Sequence, residues 1–122
     1  MLVVEYLINL YIQRLIYYIN KMFTTPLIPN KYFSSWAQYS ILVPNTLKRK
    51  KVIDDLSQEG IPSMVYYKIP IHLQKGYKKY GYSRGDYKVS EDVSNRILSL
   101  PMHPYLDKED QNHIISTLNK YN

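Results

Sequence analysis

A short predicted strand near the middle of the chain leads into side chains that could bind a ligand. Gly60 ends the preceding helix, because glycine readily takes the left-handed conformation that closes a last turn. Residues 63–67 are typical of a short buried strand, and Pro70 stops it. Four hydrogen-bonding side chains stand at its end or just beyond it: Tyr66, Tyr67, His72 and Gln74. Loops that follow strands commonly line pockets, so these residues form a candidate binding site.

The sequence lacks the motifs of several common catalytic and metal sites. It has no cysteine, which excludes disulfides, thiolate nucleophiles and cysteine-ligated zinc and fits a reducing cytoplasm. His72, His103 and His113 have no partner at metal-ligand spacing, and no GxSxG, P-loop or GxGxxG motif is present. The adjacent acidic residues on predicted helices point apart. We therefore predict no catalytic residue and no metal ligand from the residues themselves.

The size and charge of the chain define the classes of protein to consider. Its 122 residues are enough for one domain, and a hydrophobic content of 45% favours a folded chain. The net charge of +6 allows contact with nucleic acid, and residues 76–88 interleave tyrosines with basic side chains. No nucleic-acid recognition motif accompanies them, and a bias towards lysine and tyrosine explains the composition as well. We therefore predict no nucleic-acid partner, and we interpret the basic run 48–51 as a solvated helix face.

The first 22 residues are strongly apolar, yet they are predicted neither to span a membrane nor to form a signal peptide. Glu5, Asn9, Gln13 and Arg14 interrupt the run before it reaches the roughly 18 residues that a span needs. The periodicity predicts one long helix that is apolar on both faces. Such a helix must be covered on several sides, so we expect an N-terminal domain or a partner chain to pack there; a homodimer is also compatible.

The other elements alternate along the chain. Residues 36–43 predict a strand, Asn45 is the predicted cap of a helix that closes at Gly60, and Ser90 is the predicted cap of a short helix. Residues 98–101 predict a brief strand, and Asp107 with Asp110 forms a capping-box pattern before a final helix. This order predicts an α/β or α+β fold, a few-stranded sheet with helices mainly on one face.

Three motifs follow one another in the second half of the chain. They are Gly60-Ile61-Pro62, Tyr66-Tyr67-Lys68-Ile69-Pro70-Ile71-His72-Leu73-Gln74 and Leu98-Ser99-Leu100-Pro101-Met102-His103-Pro104-Tyr105-Leu106. The strand at 36–39 and the helix start at 89–91 accompany them in the same order. Together, over about residues 19–118, these segments resemble the C-terminal region of the DegT/StrS aminotransferases.

The resemblance implies that the chain is a fragment of such an enzyme. The family uses pyridoxal phosphate to aminate nucleotide-linked keto sugars, usually with glutamate as donor, in cytoplasmic steps of cell-surface polysaccharide biosynthesis. Its N-terminal domain has the lysine that holds the cofactor, in a motif that no lysine here shares. The implied organisation is a long apolar interdomain-type helix at 1–23 and a small C-terminal domain of a fold-type I aminotransferase at 24–122, with the N-terminal cofactor-binding domain absent. We therefore expect the isolated chain to bind no cofactor and to be inactive.

The resemblance also assigns roles to the four candidate residues. Tyr66 and Tyr67 match an aromatic pair at the substrate side of the cleft, although many relatives have histidine where Tyr66 stands. His72 and Gln74 match a segment that borders the sugar-nucleotide entrance. The alternatives are that Tyr66 is a core aromatic residue and that His72 orients its own loop. The nucleotide sugar is expected to bind only in a complete assembly.

A different class of function also fits the sequence. The apolar first helix would equally serve a non-catalytic interaction module that docks to a partner.

Overall fold

The computed structural model of the protein describes residues 2–19 and 21–121. Four α-helices and two β-strands are joined by irregular segments and two short 3₁₀ helices. The α-helices are α1 (Leu2–Tyr18), α2 (Arg49–Gln58), α3 (Lys88–Arg96) and α4 (Lys108–Leu118). The strands are β1 (Tyr39–Leu42) and β2 (Ile97–Leu100), and the 3₁₀ helices are Ile71–Leu73 and Lys75–Tyr80.

The sheet is an antiparallel pair of strands, with Tyr39 opposite Leu100 and Leu42 opposite Ile97. Both strands coincide with predicted ones, although β1 is shorter than predicted. The predicted strand at 63–67 is wrong. Met64 makes an isolated bridge to Ser99 on the free edge of β2, and the chain then turns away at Tyr66. The architecture is therefore helices with a small two-stranded sheet.

One core joins the sheet to α1, α2 and α4. Each buried aliphatic side chain in it contributes about 1.5–3 kcal/mol relative to an exposed one. The predicted inward faces of α2 and α4 are confirmed by the buried residues Val52, Leu56, Ile114, Ile115 and Leu118. From α1 the core takes Tyr11, Ile12 and Leu15, and from the sheet it takes Tyr39, Ile41, Leu98 and Leu100. The predicted boundary after residue 23, between an interdomain-type helix and a small C-terminal domain, stays a prediction.

Two predicted helix ends are confirmed and two are wrong. Gly60 follows α2 with a φ of 73°, and the carboxylate of Asp107 accepts a bond from the Asp110 amide at 2.8 Å. Asn45 does not cap α2, because a turn from Pro44 to Leu47 delays the helix until Arg49. Ser90 does not cap α3 either, because the helix has already begun at Lys88.

Helix α1 is buried on one side and exposed on the other. Leu7, Leu10 and Ile16 are between 41% and 45% exposed, and Tyr17 is 80% exposed. The predicted helix is confirmed up to Tyr18, and Met22 already lies in a turn. That an N-terminal domain or a partner chain packs on the exposed side of α1 stays a prediction. Among the described residues, no helix is both long enough and apolar enough to cross a bilayer.

Candidate functional site

Tyr66 and Tyr67 lie together beside the sheet. The Tyr66 ring is half-buried in a groove of about 200 Å³ between Gln38, Pro62 and Met102. The Tyr67 ring is 72% exposed and meets the Tyr66 ring edge-on, with 5.8 Å between centroids. Both rings therefore offer free surface at one side of β2.

His72 lies in the first of the two 3₁₀ helices that follow Pro70, and Gln74 lies between the two. The Gln74 amide donates to the carbonyl of Ile69 at 3.2 Å, so this side chain is bonded within its own loop. His72 is only 8% exposed and lines a cleft that Tyr66 and Tyr67 do not line. The structure thus brings Tyr66 to Tyr67 and places His72 in a cleft that neither tyrosine lines. Substrate binding by these four residues stays a prediction.

A buried clasp joins His72 to α3. The imidazole Nε2–H of His72 donates to Oε1 of Glu91 at 3.0 Å, and the same oxygen accepts the Gly85 amide at 2.7 Å. Arg84 stands 3.9 Å from the other carboxylate oxygen. The Gly85 bond lowers the pKa of Glu91 most, and the His72 bond lowers it further against the opposing effect of burial. The clasp holds the segment between the 3₁₀ turns and α3 against the start of that helix.

His72, one member of the clasp, also lines a second cleft, which we call the tyrosine cleft. Its volume is about 310 Å³. It is lined by Ile71, His72, Tyr77, Tyr80, Tyr82, Tyr87 and Ser90. The Tyr87 ring packs on the His72 ring at 4.8 Å and on the Tyr82 ring at 5.2 Å. A hydrogen bond with Tyr82 raises the pKa of Tyr87 above its ordinary value.

The sequence interpretation did not assign Glu91, Tyr82 or Tyr87 to a site. Glu91 lies 19 residues from His72, and nothing in the local pattern pairs them. The available signal was the tyrosine spacing of residues 77–87 around Gly81 and Gly85. A chain that turns twice at glycines can gather such rings on one side.

A match to a protein-family sequence model identifies the family that has these motifs. The DegT/DnrJ/EryC1/StrS aminotransferase family model matches residues 5–119. The chain belongs to this family. The resemblance expected from the ordered motifs is thereby confirmed.

Three relatives show how much of a family member the chain represents. The pleiotropic regulatory protein of Geobacillus stearothermophilus is 31% identical over 103 residues, covering 84% of this chain and 27% of that protein. UDP-2-acetamido-2-deoxy-3-oxo-D-glucuronate aminotransferase of Pseudomonas aeruginosa is 34% identical over 83 residues, covering 68% of this chain and 21% of that protein. The crystal structure of a family aminotransferase from Brucella abortus is 39% identical with a TM-score of 0.79, covering 98% of this chain and 30% of that one. The chain therefore spans between 21% and 30% of the length of these relatives.

The described residues do not fit a site for pyridoxal phosphate, the cofactor of this aminotransferase family. Such enzymes hold the cofactor through a lysine that is activated in an enclosed site. Every lysine in the described part of the chain is exposed. Lys51 and Lys120 line a surface depression, but they are bonded to Asp55 and Glu59. No step of amino transfer is assigned to these residues.

Proposed function

We propose that the chain is the C-terminal segment of a pyridoxal-phosphate-dependent aminotransferase that acts on nucleotide-linked keto sugars. The match of the family model to residues 5–119 carries this proposal. The relative from Pseudomonas aeruginosa supports the substrate class, because its name describes a UDP-linked oxo sugar. A role in cell-surface polysaccharide biosynthesis, in the cytoplasm, follows from the same resemblance.

The isolated chain is inactive in this proposal, because the lysine that holds the cofactor belongs to another part of the enzyme. The exposure of every described lysine supports this view. The missing part is the N-terminal domain, supplied either as a preceding segment or as a separate chain. The exposed side of α1, with Leu7, Leu10 and Tyr17, is where this part docks.

A cofactor titration of the isolated chain tests the first half of the proposal. Pyridoxal phosphate is added to the purified chain, and the visible absorbance is followed before and after borohydride reduction. We expect no saturable absorbance change and no lysine modified in a stoichiometric way. A saturable band with one modified lysine per chain would contradict the proposal.

A chimera tests the second half. The matching segment of the Brucella abortus aminotransferase is replaced by this chain, and the change of the cofactor spectrum on adding glutamate is measured. We expect the chimera to bind the cofactor and to respond to glutamate. A folded chimera that binds the cofactor but does not respond would contradict the proposal.

A matched pair of variants in the chimera tests the docking side of α1. Leu10→Lys places a charge on the proposed docking side, whereas Val89→Lys places one on α3, where Val89 is 79% exposed. We expect Leu10→Lys to abolish the glutamate response and Val89→Lys to preserve it. Equal responses from the two variants would remove α1 as the docking side.

The exposed apolar side of α1 also favours a second candidate function, a non-catalytic module that docks to a partner through α1. The two functions differ in the chimera. A chimera that folds and never responds to glutamate, while the isolated chain binds a partner in a Leu10-dependent way, would support the second candidate.

A further inference from the structure

A pocket of about 540 Å³ lies between the end of α2, the segment after β2 and the first turns of α4. We call it the α4 pocket. Its lining includes the apolar side chains of Ile61, Met102, Leu106 and Ile114. Ile61 and Ile114 are buried in the core, and Met102 and Leu106 pack against it. The α4 pocket therefore has an apolar floor that rests on the core, and its volume is typical of small-molecule sites.

The charged side chains that line the α4 pocket are acidic. Among the described residues they are Glu59 and Asp110, and no lysine or arginine accompanies them. The chain as a whole has a net charge of +6, so an acidic lining does not follow from its composition. A pocket lined by carboxylates attracts a cation and opposes an anion.

Asp110 supplies the carboxylate that is available to a ligand. The carboxylate of Glu59 already accepts the ammonium of Lys120 at 2.5 Å. The backbone amide of Asp110 donates to Asp107, but within residues 2–19 and 21–121 the Asp110 carboxylate has no hydrogen-bond or ion-pair partner. A ligand ammonium can therefore bond to Asp110 without breaking a contact of the fold.

Two imidazoles line the same pocket. His113 follows Asp110 by three residues on α4, so the two side chains share a face of the helix. The Nε2–H of His113 donates to the carbonyl of Glu59 at 2.9 Å, which leaves Nδ1 of the neutral ring as an acceptor. His103 has no partner in the described part of the chain. A protonated amine has three N–H donors, and the carboxylate and imidazole acceptors match them.

An organic cation fits the α4 pocket better than a metal ion does. Among the described residues, no group of three or more histidine, aspartate or glutamate side chains is arranged to hold a metal. The apolar floor supplies no metal ligand, whereas it can bury the hydrocarbon part of an amine.

We propose that the α4 pocket binds a small primary amine with an apolar body. The ammonium bonds to the Asp110 carboxylate, and the apolar body lies on Ile61, Leu106 and Ile114. Every residue in this inference belongs to the present chain. It is therefore independent of the proposed function and of the N-terminal domain.

An NMR titration of the isolated chain with phenethylamine tests the inference. This probe carries a protonated amine on a short chain that ends in a phenyl ring. We expect saturable shifts of the backbone amide signals, largest at residues 59–62 and 101–114, with one site per chain. No saturable shift, or shifts confined to residues 71–90 around the tyrosine cleft, would overturn the inference.

Two related ligands separate the role of the charge from that of the apolar body. Hydrocinnamate keeps the phenyl ring and the short chain but has a carboxylate in place of the ammonium. Ethylamine keeps the ammonium and lacks the ring. Each should bind at least about tenfold more weakly than phenethylamine. If either ligand bound as tightly as phenethylamine, the inference would be overturned.

A matched pair of variants tests Asp110 itself. Asp110→Asn removes its charge at nearly constant size, and Glu109→Gln removes the same charge from a neighbour on α4 that does not line the pocket. We expect the first variant to weaken phenethylamine binding at least about tenfold and the second to change it by less than about twofold. Both side chains are exposed, so the fold should survive, and the amide spectrum checks this. Equal effects would mean that net charge alone attracts the amine, and the α4 pocket would lose its role.

Discussion

Two basic segments of the chain use their charges in different ways. In the run 48–51, Lys50 and Lys51 each bond at 2.6 Å to an aspartate four residues later on the same helix. Arg49 turns inward, and its guanidinium donates to the carbonyls of Ser94 and Ile97. Along residues 75–88, by contrast, Lys75, Lys78 and Lys79 have no acidic residue four positions later. The first segment uses three of its four charges within the fold, and the second presents its lysines to solvent beside aromatic rings.

The difference shows that a cluster of basic residues has no fixed meaning. A lysine with an aspartate at i+4 contributes a few tenths of a kcal/mol to its helix and little to the surface potential. A lysine without such a partner contributes its full charge to the local field. The surroundings of each cation, more than the number of cations, decide whether a basic segment supports the fold or attracts a ligand.

The largest expected effect comes from Glu91, which gives the second segment its shape. Glu91→Ala removes the acceptor of both His72 and the Gly85 amide, so two polar groups of the clasp lose their partner. We expect a lower urea midpoint and faster amide hydrogen exchange over residues 71–88. Glu91→Gln, which keeps an oxygen of similar position, should restore most of the protection. If exchange in 71–88 were unchanged in Glu91→Ala, the clasp would not be what orders the cleft.

The next effect concerns Arg49 in the first segment. Arg49→Ala removes two hydrogen bonds from a half-buried guanidinium whose pKa is lowered by burial. We expect a loss of about 2 kcal/mol in the free energy of unfolding. Lys50→Ala is the matched control, because it removes an exposed pair worth less than about 0.5 kcal/mol. Urea unfolding of both variants measures the difference, and equal losses would contradict the contrast between the two side chains.

A smaller effect is expected at Gly85, which turns the second segment towards Glu91. Its φ is 99°, and an added Cβ would meet no atom within 4 Å, so the cost of Gly85→Ala is backbone strain alone. We expect about 1 kcal/mol of destabilisation. Gly76→Ala is the control, since Gly76 has equal space and no positive φ and should be neutral or slightly stabilising. Similar unfolding midpoints for the two variants would show that the turn tolerates alanine.

The smallest effect is a change in pH dependence. The pKa of Glu91 is lowered in the folded state, so its contribution to stability is present above the unfolded value of about 4.3 and is lost as pH falls through the folded value. Asp55, Glu59 and Asp92 also have lowered pKa values and contribute in the same direction. Glu91→Gln should therefore lose less stability than the unaltered chain between pH 6 and pH 3. Parallel plots of the free energy of unfolding against pH for the two proteins would contradict this prediction.

The sequence predicted those features of the fold that depend on local chemistry. The aspartate cap of α4 and the glycine after α2 need only neighbouring residues, and both are confirmed. The strand at 63–67 failed because pairing depends on the partner edge. Met64 alone reaches Ser99, and its side chain is 55% exposed in place of the predicted burial.

The candidate site was predictable only in part for the same reason. His72 is in a cleft, as expected of a candidate binding residue, but the clasp to Glu91 depends on a contact across 19 residues. The motifs identified the family because their recognition depends on residue types and on their order along the chain. It requires no knowledge of which residues are in contact. They did not indicate that Tyr66 and His72 line different clefts.

The packing of α1 on α4 has a consequence for how the chain is made. The carbonyl of Tyr18, at the end of α1, accepts the amide of Asn119, which is synthesised 101 residues later. The core faces of α1 therefore leave the ribosome long before Ile114, Ile115 and Leu118 can cover them. During that interval the core face of α1 is uncovered, a condition that favours chaperone binding or aggregation. Slowed translation between α1 and α4 should therefore reduce the yield of soluble protein.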